Sequence, residues 1–175
     1  VLKRATLLGQ GVPNYYGEQR FGINGGNLAL AQQLFNGQSI TDRKLRGLAL
    51  SAARSYVFNQ QVSARISSGL FNTVQDGDVL QLNGSGSVFR VPEADTTLQQ
   101  RLQKQDLHIT AVLAGIGEPL VSGAAAEFER QVLAQHNELV QGLEDYRLKA
   151  ERRAIRLLPQ QLTVQQQGND ITVSF

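Results

Sequence analysis

Near its beginning the chain reads Gly11-Val12-Pro13-Asn14-Tyr15-Tyr16-Gly17-Glu18-Gln19-Arg20-Phe21-Gly22. These twelve positions hold three glycines, one proline, three aromatic residues and one arginine. Glycine permits positive φ angles, while Pro13 fixes its own φ and biases Val12 toward an extended conformation. The stretch therefore predicts an ordered, irregular loop. Its polar side chains offer hydrogen bonds, an aromatic face and a positive charge, namely Asn14, Tyr16, Gln19 and Arg20.

The same residues are also explained by an ordered turn whose aromatic side chains pack into the hydrophobic core. Composition alone favours this structural turn over a ligand-binding loop. The whole chain has 175 residues, of which 41% are hydrophobic and 18% charged, as in a globular domain with a core of its own. A net charge of +2 is too small to indicate a nucleic-acid partner, so the distribution of charge matters more.

The absence of cysteine excludes disulfides, thiolate metal sites and a cysteine nucleophile. It suits a reducing compartment, and we expect a cytoplasmic protein. No apolar run approaches the roughly 20 residues of a membrane helix. Because the first residue is Val and Met is absent, we also expect the chain to be a piece of a longer protein.

The strongest helical pattern runs from Arg43 to about Ile66, with Asp42 or Thr41 as its cap. Apolar residues at helical spacing predict its core face: Leu45, Leu48, Ala49, Ala52, Tyr56 and Ile66. Three arginines spaced eleven residues apart are expected along the opposite face: Arg43, Arg54 and Arg65. Apolar neighbours predict that Arg54 is partly buried and paired with a carboxylate or a phosphate, and they favour the carboxylate.

The remaining patterns predict a mixed α/β (α+β) domain of helices and short strands. Gly25-Gly26 precede a helix that ends near Asn36-Gly37, and residues 94–105 and 124–143 also favour helices. Strands are expected at 79–82 and 88–91, which form a hairpin, at 107–113, and at 161–167 and 170–175. Asp76-Gly77-Asp78 reads as a turn and not as a metal site.

The clearest basic pattern lies in residues 146–157, for which we predict a helix. Four cations at i, i+3, i+4 and i+7 would share one face: Lys149, Arg152, Arg153 and Arg156. Such a stripe can be a solvated face or can bind a phosphate backbone. For an isolated stripe the solvated face is the more usual explanation. No catalytic triad, metal cluster or carboxylate pair is evident in the sequence. The residues alone thus predict a mixed α/β domain that is able to bind an anionic polymer through Arg and Lys on two helices.

Three stretches resemble one family. Residues 14–22, Asn-Tyr-Tyr-Gly-x-Gln-Arg-Phe-Gly, are similar to the signature of the TruD family of tRNA pseudouridine synthases, with Tyr16 where Phe is common. Residues 51–59, Ser-Ala-x-Arg-Ser-x-x-Phe-Asn, and residues 109–118, Ile-Thr-Ala-Val-Leu-Ala-Gly-x-Gly-Glu, resemble further motifs of that family.

The resemblance implies an isomerase that converts uridine at position thirteen of tRNA to pseudouridine, without a cofactor or metal. In the family the nucleophilic aspartate lies N-terminal to the signature, so no catalytic residue is expected here. None of the seven aspartates of the chain matches its motif: Asp42, Asp76, Asp78, Asp95, Asp106, Asp145 and Asp170. We expect residues 1–10 to end a catalytic segment, 11–158 to form the insertion domain, and 159–175 to return to the catalytic sheet.

The residues expected to meet tRNA or to form the cleft are Asn14, Tyr16, Gln19, Arg20, Arg43, Arg54, Lys149, Arg152, Arg153 and Arg156. Two alternatives stay open. One is a non-enzymatic domain that binds RNA or another polyanion, and the other is a small phosphate site at Gly25-Gly26.

Overall fold

The computed structural model describes residues 8–168 and 170–174. Its helices are α1 (Gly26–Phe35), α2 (Arg43–Ser67), α3 (Thr96–Gln103), α4 (Gly123–Ala134) and α5 (Asn137–Asp145). Its strands are β1 (Val12–Pro13), β2 (Val79–Leu82), β3 (Val88–Arg90), β4 (Leu107–Leu113), β5 (Glu151–Ala154), β6 (Arg156–Leu157), β7 (Thr163–Gln167) and β8 (Asp170–Ser174). The predicted mixed class is confirmed.

A four-stranded antiparallel sheet, in the order β3-β2-β4-β5, forms one layer of the fold. Helix α2 lies between two clusters of buried side chains. Phe58 and Val62 pack with sheet residues such as Leu80 and Ile109, whereas Val57 packs with residues of α1 and α5. Because α2 contributes to both clusters, it is the scaffold on which the other elements are placed.

The end of the chain agrees with the predicted pair of strands. β7 and β8 form an antiparallel hairpin that pairs, within the described residues, only with itself. Their expected place in a catalytic sheet stays a prediction, as does the division of the chain into domains. Helical propensity in the sequence also predicts a helix over residues 2–8. All of these residues except Leu8 lie outside the described part of the chain, and Leu8–Gln10 form a short 3-10 helix. None of the described helices has the length and apolar character that crossing a bilayer requires.

The predicted cap of α2 is confirmed, because the Asp42 carboxylate accepts hydrogen bonds from the Lys44 and Leu45 amides at 2.7 and 3.1 Å. The predicted core face is only partly right. Ala49 and Ala52 are buried, but three residues near the ends of the helix are exposed: Leu45, Leu48 and Ile66. Ala49 and Arg65, which adjoin Leu48 and Ile66, are buried. The exposed residues therefore lie on a different side of the helix from the buried ones, and the predicted core face was misplaced around the helix.

The single helix predicted for residues 124–143 is two helices, α4 and α5. His136 separates them with a non-helical backbone (φ −126°, ψ 30°), and its ring packs edge-on against Tyr56 at 5.5 Å. At Gly142, α5 approaches the Phe35 ring so closely that a Cβ atom would collide with it. These contacts fix α5 separately from α4.

The helix predicted for residues 146–157 is wrong. Arg147 adopts a positive φ of 56° after α5, and the chain then forms β5 and β6. β5 pairs with β4, with Glu151 opposite Leu113 and Ala154 opposite Thr110. Pairing with the open edge of β4 overrides the helical spacing of the basic residues. The basic side chains therefore do not form one helical stripe, since successive strand residues point to opposite faces.

A buried ion pair joins the end of α2 to the start of β2. Both terminal nitrogens of Arg65 contact the Asp78 carboxylate, and the Gln75 amide donates to the same carboxylate at 2.8 Å. The two side chains are 6% and 0% exposed. Asp76-Gly77-Asp78 is thus the predicted turn, and Arg65 lies in the core rather than on the face expected for it.

We expect Asp78→Ala to lower the free energy of unfolding by about 3–5 kcal/mol, because it leaves the Arg65 charge buried and unpaired. Asp76→Ala is the matched control. Its exposed carboxylate accepts one hydrogen bond, from the Ala94 amide at 2.7 Å, and its loss should cost only about 0.5–1.5 kcal/mol. Urea unfolding of both variants measures the difference. Equal losses would contradict a special role for the buried pair.

Candidate functional site

The loop at residues 11–22 is fixed to α2 through its backbone. The Asn59 side-chain amide donates to the Tyr16 carbonyl at 3.0 Å and accepts from the Tyr16 amide at 2.9 Å. Both backbone groups of Tyr16 are therefore satisfied by one side chain, much as a neighbouring strand would satisfy them. The Phe58 ring meets the Tyr16 ring edge-on at 5.7 Å. The motif at residues 14–22 thus contacts the motif at residues 51–59.

Strand β5 holds the opposite side of the loop. The Arg153 guanidinium lies 4.3 Å from the centroid of the Tyr16 ring and donates to the Asn14 side-chain oxygen at 2.8 Å. Asn14 in turn donates from its side chain to the Ala154 carbonyl and from its backbone to the Ile155 carbonyl, both at 2.8 Å. Asn14 and Arg153 thus form one network that ties the loop to the sheet.

The outer part of the loop remains accessible to a ligand. Gln19 and Arg20 are exposed, and the Arg20 guanidinium lies 5.2 Å from the centroid of the Tyr16 ring. The Asn27 side chain donates to the Arg20 carbonyl at 3.2 Å, which anchors this end of the loop. A small cavity of ≈ 180 Å³ opens here, lined by Tyr16, Gly17, Gln19, Arg20, Asn27 and Leu48.

Two of the predicted RNA-facing arginines are occupied by contacts within the protein. Arg54 makes a 3.5 Å ion pair with Glu151 and donates to the Leu113 and Lys149 carbonyls, so the predicted burial and carboxylate pairing are confirmed. Arg152 contacts both carboxylate oxygens of Glu129 at 3.0 and 2.7 Å, and its side chain is 4% exposed. The expectation that Arg152 belongs to an exposed stripe is wrong, because its charge is buried and paired.

Arg156, the last residue of the predicted stripe, is also buried, whereas Lys149 is exposed. Arg43 is exposed at the start of α2. Sequence reasoning missed its neighbour Lys44, which is also exposed and lies one helical turn before Leu48, a residue of the loop cavity. We call these three exposed cations, Arg20 in the loop and Arg43 and Lys44 at the start of α2, the basic rim. The run of cations at the start of the helix was the signal that could have identified it.

Three further features bear on ligand binding: the Gly25-Gly26 turn, His136 and the distribution of metal-ligating side chains. Gly25 has a positive φ of 74° and leads into α1, whose first residue is Gly26. The suggested phosphate site there stays a prediction. Burial lowers the pKa of His136. Within residues 8–168 and 170–174, no three His, Asp or Glu side chains cluster closely enough to hold a metal ion.

A family model described as tRNA pseudouridine synthase D (TruD) matches residues 32–175. The chain is 48% identical to the tRNA pseudouridine synthase D of Aeromonas salmonicida, with 95% of this chain and 47% of the relative covered. It is 43% identical to the tRNA pseudouridine synthase D of Colwellia psychrerythraea, and the match covers 97% of this chain and 49% of that relative. The chain thus spans about half the length of these curated relatives.

A solved structure shares the fold. The crystal structure of a putative tRNA pseudouridine synthase D from Methanosarcina mazei superposes with a TM-score of 0.66 at 17% identity. The match covers 97% of this chain and 58% of that one. At this identity the likeness is evidence for the fold alone.

Replacing Asn59 tests how the loop is held. We expect Asn59→Leu to lower the free energy of unfolding by about 2–4 kcal/mol, because it leaves both backbone groups of Tyr16 without their partners. Hydrogen exchange of the Tyr16 amide should accelerate in parallel. Ser63→Ala is the control, since it removes only the exposed contact with the Tyr15 hydroxyl, and should change stability by no more than about 0.5 kcal/mol. Similar losses in the two variants would refute the role of Asn59.

Proposed function

The chain belongs to the TruD family of tRNA pseudouridine synthases, and we propose that it is part of an enzyme that isomerises uridine at position thirteen of tRNA to pseudouridine. Family membership supports the reaction. We propose that residues 11–158, as the insertion domain, contribute one wall of the RNA-binding cleft. In this proposal the nucleophilic aspartate comes from another part of the enzyme, and the chain contributes no catalytic residue.

The observation that carries the RNA-binding proposal is the rigid attachment of an exposed polar loop. Asn59 fixes the backbone of the loop and Arg153 fixes Tyr16, while Gln19 and Arg20 stay exposed. A loop that is ordered before binding loses less conformational entropy when it meets its ligand. Arg20 can therefore donate to a phosphate while it keeps its contact with the Tyr16 ring.

The charge around the loop supports the same proposal. None of the three cations of the basic rim is in an ion pair with a carboxylate among the residues that the structure describes. By contrast, the guanidinium groups of Arg54 and Arg152 are already paired with glutamates. Exposed, unpaired cations gain most from a polyanion, because binding releases the counterions that RNA condenses. We therefore assign tRNA contact to Arg20, Arg43 and Lys44, with Gln19 beside them.

We expect the double variant Arg20→Gln/Lys44→Gln to weaken tRNA binding by the full-length enzyme. If each cation meets one phosphate, the slope of log affinity against log salt concentration should fall in magnitude by about two. Filter binding across a range of salt concentrations measures this slope. The matched control is Arg90→Gln/Arg130→Gln, which removes the same charge from exposed positions on β3 and α4. Identical slopes for the two double variants would exclude the basic rim as the tRNA contact.

Competition with heparin separates an RNA-binding wall from a general polyanion surface. If the rim recognises RNA, heparin at the same charge concentration should displace tRNA less effectively than unlabelled tRNA does. Equal competition would favour the alternative of a polyanion-binding domain.

A further inference from the structure

Arg156 is a buried cation whose described partners are all neutral. It is 6% exposed, and one terminal nitrogen donates to the Leu102 and Leu107 carbonyls at 3.0 and 3.1 Å. The other terminal nitrogen makes two long contacts of 3.4 Å, to the Gln10 carbonyl and the Asn72 side-chain oxygen. No carboxylate within the described residues forms an ion pair with it. Its Nε is buried without a hydrogen-bond partner.

A charge in this position is only partly compensated. The Leu102 carbonyl lies at the C-terminal end of α3, where the helix dipole is negative, and it offsets part of the charge. Burial nevertheless lowers the pKa of Arg156. Burial also lowers the pKa of His108, and the positive charge of Arg156 lowers it further. Among the described residues, the Arg156 charge is thus balanced by neutral oxygens alone, so an anion beside it would offset part of the cost of its burial.

Arg156 lines a cavity whose other lining residues are mostly polar. Its volume is ≈ 340 Å³, and its lining contains no acidic residue: Gln10, Asn72, Gln99, Leu102, Gln103 and Arg156. The side chain of Gln99 is held in place by hydrogen bonds with the Asn72 carbonyl and the Val74 amide, at 2.8 and 3.1 Å. The Asn72 and Gln103 amides can donate to an oxyanion, and the space suffices for a phosphate group.

The first glycine of the loop allows Arg156 to occupy this position. Gly11 has a φ of +102°, and a Cβ atom there would lie 2.5 Å from Cδ and 2.6 Å from Cγ of Arg156. The aliphatic stem of Arg156 therefore passes through space that only glycine leaves open. The loop and the cavity are built around the same side chain.

We propose that Arg156 and the amides around it form an anion-binding site that takes a phosphate group. The guanidinium supplies the charge, Leu102 and Leu107 fix its orientation, and Asn72 and Gln103 donate further hydrogen bonds. The phosphate can be free in solution or can belong to an RNA backbone. Only the second source rests on the proposed tRNA function. The site is separate from the basic rim, because the two cavities have no lining residue in common.

The test uses Asn72→Asp, because replacing Arg156 itself would remove several hydrogen bonds at once and endanger folding. The new carboxylate would stand where the Asn72 side-chain oxygen lies 3.4 Å from Arg156. It should act as an internal counter-ion, raising Tm without ligand and competing with phosphate for the guanidinium. Gln100→Glu is the matched control, since it makes the same charge change at an exposed position of α3 outside the cavity.

Inorganic phosphate is titrated into each protein at constant ionic strength while thermal unfolding is followed. For the unchanged protein and for Gln100→Glu we expect a saturable increase in Tm, roughly 3–6 °C at about ten times the dissociation constant. Asn72→Asp should start from a higher Tm and lose most of this increase.

Salt-dependent tRNA binding by the same variants in the full-length enzyme identifies the source of the phosphate. A slope that falls in magnitude by about one in Asn72→Asp, but not in Gln100→Glu, indicates a backbone phosphate. Equal slopes together with the loss of the phosphate response indicate free phosphate. If Asn72→Asp matches Gln100→Glu in both measurements, the site does not exist. That result would leave the basic rim untouched, because the rim is tested by the Arg20 and Lys44 variant.

Discussion

The hydrogen bonds between the Asn59 amide and the backbone of Tyr16 are the contact on which the functional surface depends. These hydrogen bonds are made to the backbone of Tyr16 and not to its side chain, so they fix the path of the loop independently of which aromatic residue occupies position 16. Once the path is fixed, the ring of Tyr16 can receive Arg153 on the sheet side and Arg20 on the exposed side. The helix that supplies Asn59 also carries Lys44 near its start, so one rigid element positions both parts of the basic rim.

Three arginines of the chain, Arg54, Arg65 and Arg152, connect elements of the fold through ion pairs. Arg65 and Arg152 are paired with carboxylates in the interior, and Arg54 links the long helix to β5. Pairing such charges roughly offsets the cost of taking them out of water, so they are retained for geometry more than for net stability. Arg156 differs, because its described partners are neutral oxygens. Arg153 also has neutral partners, but it lies over the Tyr16 ring, whereas Arg156 lines a cavity. A buried cation that combines neutral partners with an adjoining cavity is the candidate anion site.

The sequence was sufficient to predict those elements that are determined by residues close together in the chain. The Asp42 cap, the long helix and the β2–β3 hairpin follow from capping chemistry, apolar spacing and turn residues. The helix predicted for residues 146–157 was wrong because strand β5 in this segment depends on pairing with β4, which lies about forty residues earlier in the chain. The same limit applies to the site. Motif content identified Asn14, Tyr16 and Arg20, but the contact of Tyr16 with Arg153 exists only in three dimensions, and the exposed rim residue Lys44 went unnoticed.

Hydrogen exchange of the full-length enzyme with and without tRNA tests most directly whether the loop forms a wall of the RNA cleft. Bound RNA should slow exchange at residues 14–22 and at the start of α2, residues 43–48, because those segments carry the loop and the basic rim. Residues 123–134 of α4, on which no RNA contact is proposed, should exchange at the same rate in both states. Unchanged exchange at residues 14–22, with tRNA shown to be bound, would contradict the account.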